Sequence, residues 1–175
     1  MSKIKIKGNN LPPLQKRIIL CLAEHGPQTI NETTRNISSH YKPTWVAFDS
    51  LGRKELIHKV NVKIYRGREY PQFWLTLEGS LVALSNNLKL INAVKQTTFK
   101  FCKDNEIEDL KLWYELIEGV GPETARKMIK VSKEGIIDLK YFPIDKTDTE
   151  KAIKILKKYP KYWKPIEDKL KEVLT

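Results

Sequence analysis

Three cations crowd one short segment: Lys63, Arg66 and Arg68 stand within "VKIYRGRE", residues 62–69. Cations at this density displace the counterions condensed on a polyphosphate, and that release supplies most of the affinity of a protein for nucleic acid. A second group offers related chemistry. In "LIEGVGPETARK", residues 116–127, Gly119 and Gly121 allow a tight turn, and Arg126 and Lys127 follow it. Backbone N–H groups of such a turn, at a helix N-terminus, can hold a phosphate oxygen. Catalytic and metal-binding patterns are absent from the sequence. His25, His40 and His58 are scattered, and there is no Cys-x-x-Cys, His-Glu-x-x-His, Walker-type loop or Ser/His/Asp signature. The neighbouring carboxylates Glu108-Asp109 and Glu167-Asp168 point apart on a helix and read as solvated faces. No catalytic residue, metal or cofactor is expected.

The composition agrees with a polyanionic partner. Among 175 residues, 41% are hydrophobic and 30% charged, a globular balance, yet the net charge is +11. Residues 1–87 carry 13 Lys and Arg against 6 Asp and Glu, whereas residues 88–175 carry 19 against 15. The first half is therefore the expected contact surface. Cys21 and Cys102 each sit among apolar residues and read as reduced core thiols. No signal peptide is recognisable, and no apolar run reaches the roughly 20 residues that cross a bilayer. A soluble, cytoplasmic protein without membrane contact is expected.

The elements that must position these groups are mostly helical. Residues 1–10 read as a basic arm or a short edge strand. A first helix is expected from Pro13 to His25, opened by Pro12-Pro13 and ended by Gly26-Pro27. Thr29-x-x-Glu32 has capping-box spacing and opens a second helix ending near Ser38. A third follows over residues 43–56, with Thr44, Ala47, Phe48 and Leu51 inward. Residues 59–77 alternate in polarity and form a hairpin around Arg66-Gly67-Arg68-Glu69, with Phe73, Leu75 and Leu77 on one face and Trp74 on the other. Leu81, Leu84, Leu88, Ile91 and Val94 then form a helical seam that Asn86-Asn87 can interrupt. Further helices are expected over 106–118, 122–133, 148–158 and 161–174.

Three short helices, a hairpin and a further helix make the winged variant of the helix-turn-helix, with the hairpin as the wing. Specific residues strengthen the resemblance. "WVAFDSLGRKELI", residues 45–57, resembles the recognition-helix segment of PadR-type regulators, with Trp45, Ala47, Phe48, Leu51, Leu56 and Ile57 in register. Glu55 stands where that pattern has Gly. "FWLTLEG", residues 73–79, is similar to the wing ending shared by PadR- and MarR-type proteins. The resemblance covers about residues 12–95. It implies a winged-helix DNA-binding protein, usually dimeric and often a repressor. The third helix would enter the major groove and the wing would reach the neighbouring backbone. Lys42, Thr44, Trp45, Ser50, Arg53 and Lys54 on that helix, with Lys63, Arg66 and Arg68 on the wing, are the candidate contacts. A winged helix can also dock proteins, and an interaction adaptor is the alternative, because the third helix carries few cations and Asp49 lies among them.

Residues 116–129 resemble the helix-hairpin-helix motif, which implies phosphate binding by Gly119, Gly121, Arg126 and Lys127. The resemblance does not extend to the glycosylases that carry this motif: Glu123 and Tyr141 stand where their catalytic Lys and Asp would fall. The expected organisation is mainly α with one β-hairpin, a winged helix over residues 1–85 and a helical region over 86–175. The second part would supply dimerisation, through the leucine seam, or auxiliary DNA contact. The expected partners are double-stranded DNA and a second copy of the chain.

Overall fold

The computed structural model describes residues 11–126 and 146–174. It divides into two compact units, residues 1–101 and 102–175. The basic arm over residues 1–10 lies outside the described residues.

The first unit contains helices α1 (Pro13–His25), α2 (Ile30–Asn36) and α3 (Tyr41–Arg53). Strands β1 (Ile57–Tyr65) and β2 (Arg68–Leu75) follow, then helices α4 (Leu77–Asn86) and α5 (Ile91–Phe101). This is the winged-helix order. α1 is the central element. It carries proline in its first turn, and Gly26 ends it at φ +84°. It packs on α2, α3, α4, α5 and β2. Ile18, Ile19 and Leu22 meet Leu51, Leu81, Leu84 and Val94 in a core that excludes water almost completely. α2 is too short to hold by itself. Its Thr29 capping box is complete, and Arg17 donates to the carbonyl of Ile37 at its far end.

The hairpin turns more tightly than its sequence suggests. Arg66 and Gly67 alone form the turn, at φ +49° and +72°. Positive φ at both central residues marks the type I′ geometry that matches strand twist. The two strands are antiparallel with an irregularity between Lys59 and Asn61. At the base of the hairpin alternation breaks down, because both faces are covered. Phe73 meets Phe48 of α3 edge-on at 5.2 Å. On the other face Trp74 is buried and donates its Nε1–H to Thr98 Oγ1 of α5 at 3.3 Å. Leu77, expected in the strand, opens α4 instead, because Thr76 caps that helix by accepting the Gly79 N–H.

The leucine seam is not one helix. Asn87 ends α4, a 3-10 turn spans Leu88–Leu90, and α5 starts anew. Leu81, Leu84 and Val94 are buried within the unit, and Leu88 is exposed. Because α5 packs on α1 and pairs with Trp74, the first unit extends to Phe101 rather than ending near residue 85.

The second unit contains α6 (Ile107–Val120), α7 (Lys146–Leu156) and α8 (Pro160–Leu174); residues 122–126 are helical as well. Leu112, Tyr114, Leu116 and Ile117 of α6 form its core with Ala152 and Leu156 of α7. Trp113 and Tyr162 meet edge-on at 6.3 Å. Lys158 pairs with Glu115 at 3.2 Å and Lys161 with Asp109 at 2.9 Å, fixing the α7–α8 corner on α6. Burial and the hydrogen bond to Asp109 push the Tyr162 phenol far up, so it stays protonated.

α3 ends in a Schellman motif. The N–H groups of Glu55 and Leu56 donate to the carbonyls of Gly52 and Leu51, and Leu51 and Leu56 are both buried. Glu55 therefore adopts the left-handed conformation, φ +57°, that glycine usually supplies. A strained residue thus closes the helix at Glu55. Glu55→Gly is expected to raise stability by about 0.5–1 kcal/mol, the Cβ strain outweighing the added chain entropy. Gly79→Ala is expected to act oppositely and severely. A Cβ there would lie 1.9 Å from the Leu56 carbonyl oxygen, so backbone must move. Urea unfolding of both variants checks the pair.

Candidate nucleic-acid interface

The side chains of α3 divide sharply by their turn of helix. Thr44, Ala47, Phe48 and Leu51 face the core as expected. Thr44 is 0% exposed, and its hydroxyl donates to the His40 carbonyl at 2.7 Å. Its helical position, in phase with Phe48 and Leu51, places it on the inner stripe, so it is removed from the set of possible contacts. Ser50 is half-buried and accepts from Gln15 Nε2 at 3.0 Å, and Lys54 donates to Gln15 Oε1 at 2.7 Å. Both residues fasten α3 to α1 through one buried glutamine. Ser50 is thereby drawn toward α1, whereas Lys54 makes its bond from an exposed position.

The outward face is aromatic and apolar at its start. Tyr41 is 52% exposed, Trp45 51% and Val46 49%, with Lys42 exposed between them. Asp49 and Arg53 follow one turn apart and pair at 2.5 Å, so Arg53 is partly neutralised. Of the expected α3 contacts, Lys42, Trp45 and Arg53 remain exposed, Arg53 within its pair with Asp49.

The wing is tied down on one side. Lys63 pairs with Glu32 of α2, whose other oxygen accepts the Thr29 N–H at 2.8 Å and the Thr29 hydroxyl at 3.1 Å. Burial pushes the Glu32 carboxyl up. The Lys63 hydrogen bond, the two Thr29 bonds and the Lys63 charge outweigh it and hold Glu32 below its ordinary value. Lys63 is thus a strut between wing and α2. Arg66 and Arg68 are exposed at the tip, and the Arg66 guanidinium lies 5.2 Å from the Tyr65 ring centroid. Tyr65 and Tyr70 flank the tip and were not among the expected contacts; their one signal in the sequence is symmetric placement around "RGRE". Thr29, Arg35, Tyr41, Lys63, Tyr65 and Tyr70 line one groove, so α2, the start of α3 and the wing share a surface.

Charge follows the unit boundary closely. Residues 1–101 carry sixteen Lys and Arg against six Asp and Glu, a net of +10. Residues 102–175 carry sixteen against fifteen, a net of +1.

The second sequence motif lies only partly within the described residues. Gly119 lies inside the last turn of α6, and a Cβ there would come within 2.6 Å of Ile155 Cδ1, so it is glycine for packing on α7. Gly121 ends α6 at φ +87°, and its N–H already donates to the Ile117 carbonyl at 3.0 Å. Arg126 is half-buried. Lys127, with the rest of the motif to residue 129, lies outside the described residues. Among the described residues no cluster of three or more His, Cys, Asp or Glu is arranged for a metal. None of the described helices is long and apolar enough to cross a membrane. Cys21 is buried and donates to Gln28 Oε1 at 3.3 Å, and burial, then Glu24, push its thiol up. Cys102 is half-buried.

No protein-family model matches this chain, and no curated protein is similar to it. The PadR-type likeness of residues 45–57 therefore has no counterpart at the level of a family. Several solved structures align with the chain weakly. A cysteine-to-serine variant of ZitR from Lactococcus lactis aligns at TM-score 0.38 and 18% identity, over 78% of this chain and 80% of that one. MepR, a transcription regulator of the Staphylococcus aureus multidrug efflux pump MepA, aligns at TM-score 0.39 and 16% identity, over 75% and 85%. Wild-type ZitR in complex with DNA aligns at TM-score 0.35 and 16% identity, over 77% and 81%. At TM-scores below 0.5 these likenesses carry no argument, and the winged helix stands on its own element order and packing.

The Glu32 strut has a defined pH dependence. Its folded-state pKa lies below the ordinary 4.5, so its contribution is complete above that value and is lost as pH falls through the folded one. Glu32→Gln keeps the capping box and removes the charge that pairs with Lys63, so it is expected to lower stability by about 0.5 kcal/mol at pH 7. The difference between the two proteins should shrink as pH falls below 4.5 and the carboxylate of the parent protein is titrated. Urea unfolding of both proteins across a pH series measures it.

Proposed function

We propose that the first unit binds double-stranded DNA and that the chain acts in transcriptional control. One observation carries this reading: nearly all of the net charge, +10 of +11, belongs to the winged-helix unit. A field of that size attracts a polyanion without specifying the sequence. In this reading the outer face of α3 enters the major groove. Lys42 holds a phosphate at its start, and Trp45 meets base edges such as a thymine methyl. Arg66 and Arg68 of the wing hold the neighbouring backbone. The rigid floor beneath them, from the Gln15 fastening to the Glu32 strut, keeps helix and wing at fixed separation. The homodimer expected from the leucine seam would need another surface, because most of that seam is occupied within the unit.

A second reading has an observation of its own. Tyr41, Trp45 and Val46 make the start of α3 apolar, and the Asp49–Arg53 pair adds little positive charge. This is the composition of a protein-docking surface, and a protein-interaction adaptor would use the same face.

Salt dependence separates the two. DNA binding through several phosphates falls steeply as salt rises, whereas docking of an apolar face does not. Arg66→Ala with Arg68→Ala is expected to weaken binding to specific and random duplexes alike. The log–log salt slope should become shallower by about one to two units. Fluorescence anisotropy across a salt series provides the test. A folded double variant with an unchanged slope would remove the wing from the interface.

A further inference from the structure

The groove between α2, the start of α3 and the wing has a volume of about 560 Å³. Its walls bring together Tyr41, Tyr65 and Tyr70, from three different elements, with Arg35 and Asn31 of α2. Contact with a duplex through α3 and the wing tip leaves this chemistry unexplained. We propose that the groove receives an unpaired nucleobase, from a strand that continues beyond the duplex, and that the protein therefore prefers duplex with a single-stranded extension. The proposal rests on the nucleic-acid reading above and deepens it.

Three features support that occupant. Tyrosine rings stack on any base, because every base has a π face. Tyr41 and Tyr65 are both more than half exposed, so their rings are open to such contact. The groove edge is cationic: Arg35 is exposed and Arg66 lies against the Tyr65 ring, placing positive charge where a strand's phosphates would run. Glu32, the carboxylate of the lining, does not oppose this. One of its oxygens accepts from Lys63 and the other from the N–H and hydroxyl of Thr29, which neutralises it and occupies its acceptors. Exposed Asn31 adds an amide donor and acceptor suited to a base edge. A cationic ligand would meet Arg35 and Lys63. A purely apolar one would strand the Asn31 amide and the Arg35 guanidinium. The volume is that of a ligand-sized cleft.

The test uses the full chain and three labelled probes: a blunt duplex, the same duplex with a deoxy overhang, and the same duplex with a ribo overhang. The expected result is roughly five- to tenfold tighter binding to one or both overhang probes than to the blunt duplex, the scale of one stacked base. Tyr70→Ala, outside the stretch from Lys63 to Arg68, should remove that preference and leave blunt-duplex affinity unchanged. Tyr70→Phe, which keeps the ring, should retain it. Equal affinity for all three probes would overturn the groove assignment while leaving duplex binding intact. So would a Tyr70→Ala variant that weakens all probes equally. Binding to none of the probes would overturn the nucleic-acid reading and the groove with it.

Discussion

Everything in the first unit depends on one backbone junction, where the chain leaves α3 and where it enters α4. The Leu56 carbonyl accepts the Thr76 N–H at 3.0 Å, and the Thr76 hydroxyl donates to the Glu55 carbonyl at 2.7 Å. Gly79 lies so close beneath Leu56 that no side chain fits. The junction closes the base of the hairpin, because Ile57 and Leu75 are the first pair of its ladder. It also fixes the end of α3 through the Schellman motif and the start of α4 through the Thr76 cap. A helix offered to a groove is useful only if it is held in place relative to the wing beside it. Here both are anchored to the same few backbone atoms, beside the buried Trp74 and Leu75.

Around that junction the unit separates positioning from contact. Gln15 joins Ser50 and Lys54, Glu32 joins Thr29 and Lys63, and Trp74 joins Thr98. Each pairing takes a polar side chain that a linear reading would offer to a partner and uses it to hold two elements together. What remains outward is a short aromatic face on α3, a wing tip with two arginines, and the tyrosine-lined groove between them. The second unit has almost balanced charge, and its lysines Lys158 and Lys161 are paired with acids of α6. It differs from the first in kind as well as in sequence.

Much of the fold was legible in the sequence because local chemistry and tertiary packing agree there. The Pro12-Pro13 and Gly26-Pro27 punctuation bounds α1 as expected, the Thr29–Glu32 capping box is present, and the inward stripe of α3 is the expected one. The misses share a cause: packing from elsewhere in the chain. Trp74 is buried because α5 covers it, which no alternation pattern within β2 can reveal. The leucine seam breaks at Asn87, where the sequence allowed an interruption, and packing of α5 on α1 draws residues up to Phe101 into the first unit. Gly119 and Gly121 fit a phosphate-binding spacing, and in the structure they also stand in the last turn and at the end of α6. The site was less legible still. Thr44 and Ser50 have groove-reading residue types, but only the three-dimensional phase of α3 shows one turned inward and the other fastened to Gln15. Tyr41, Tyr65 and Tyr70 meet in one groove from three elements, a proximity that sequence separation hides.

Backbone amide chemical shifts of the full chain, recorded while a duplex DNA is added, test the central claim most directly. The account predicts shifts concentrated on the outer positions of α3 around Lys42, Trp45 and Val46 and on the wing from Lys63 to Arg68, with α6, α7 and α8 little changed. Shifts confined to residues 102–175, or none at DNA concentrations well above the protein's, would contradict it.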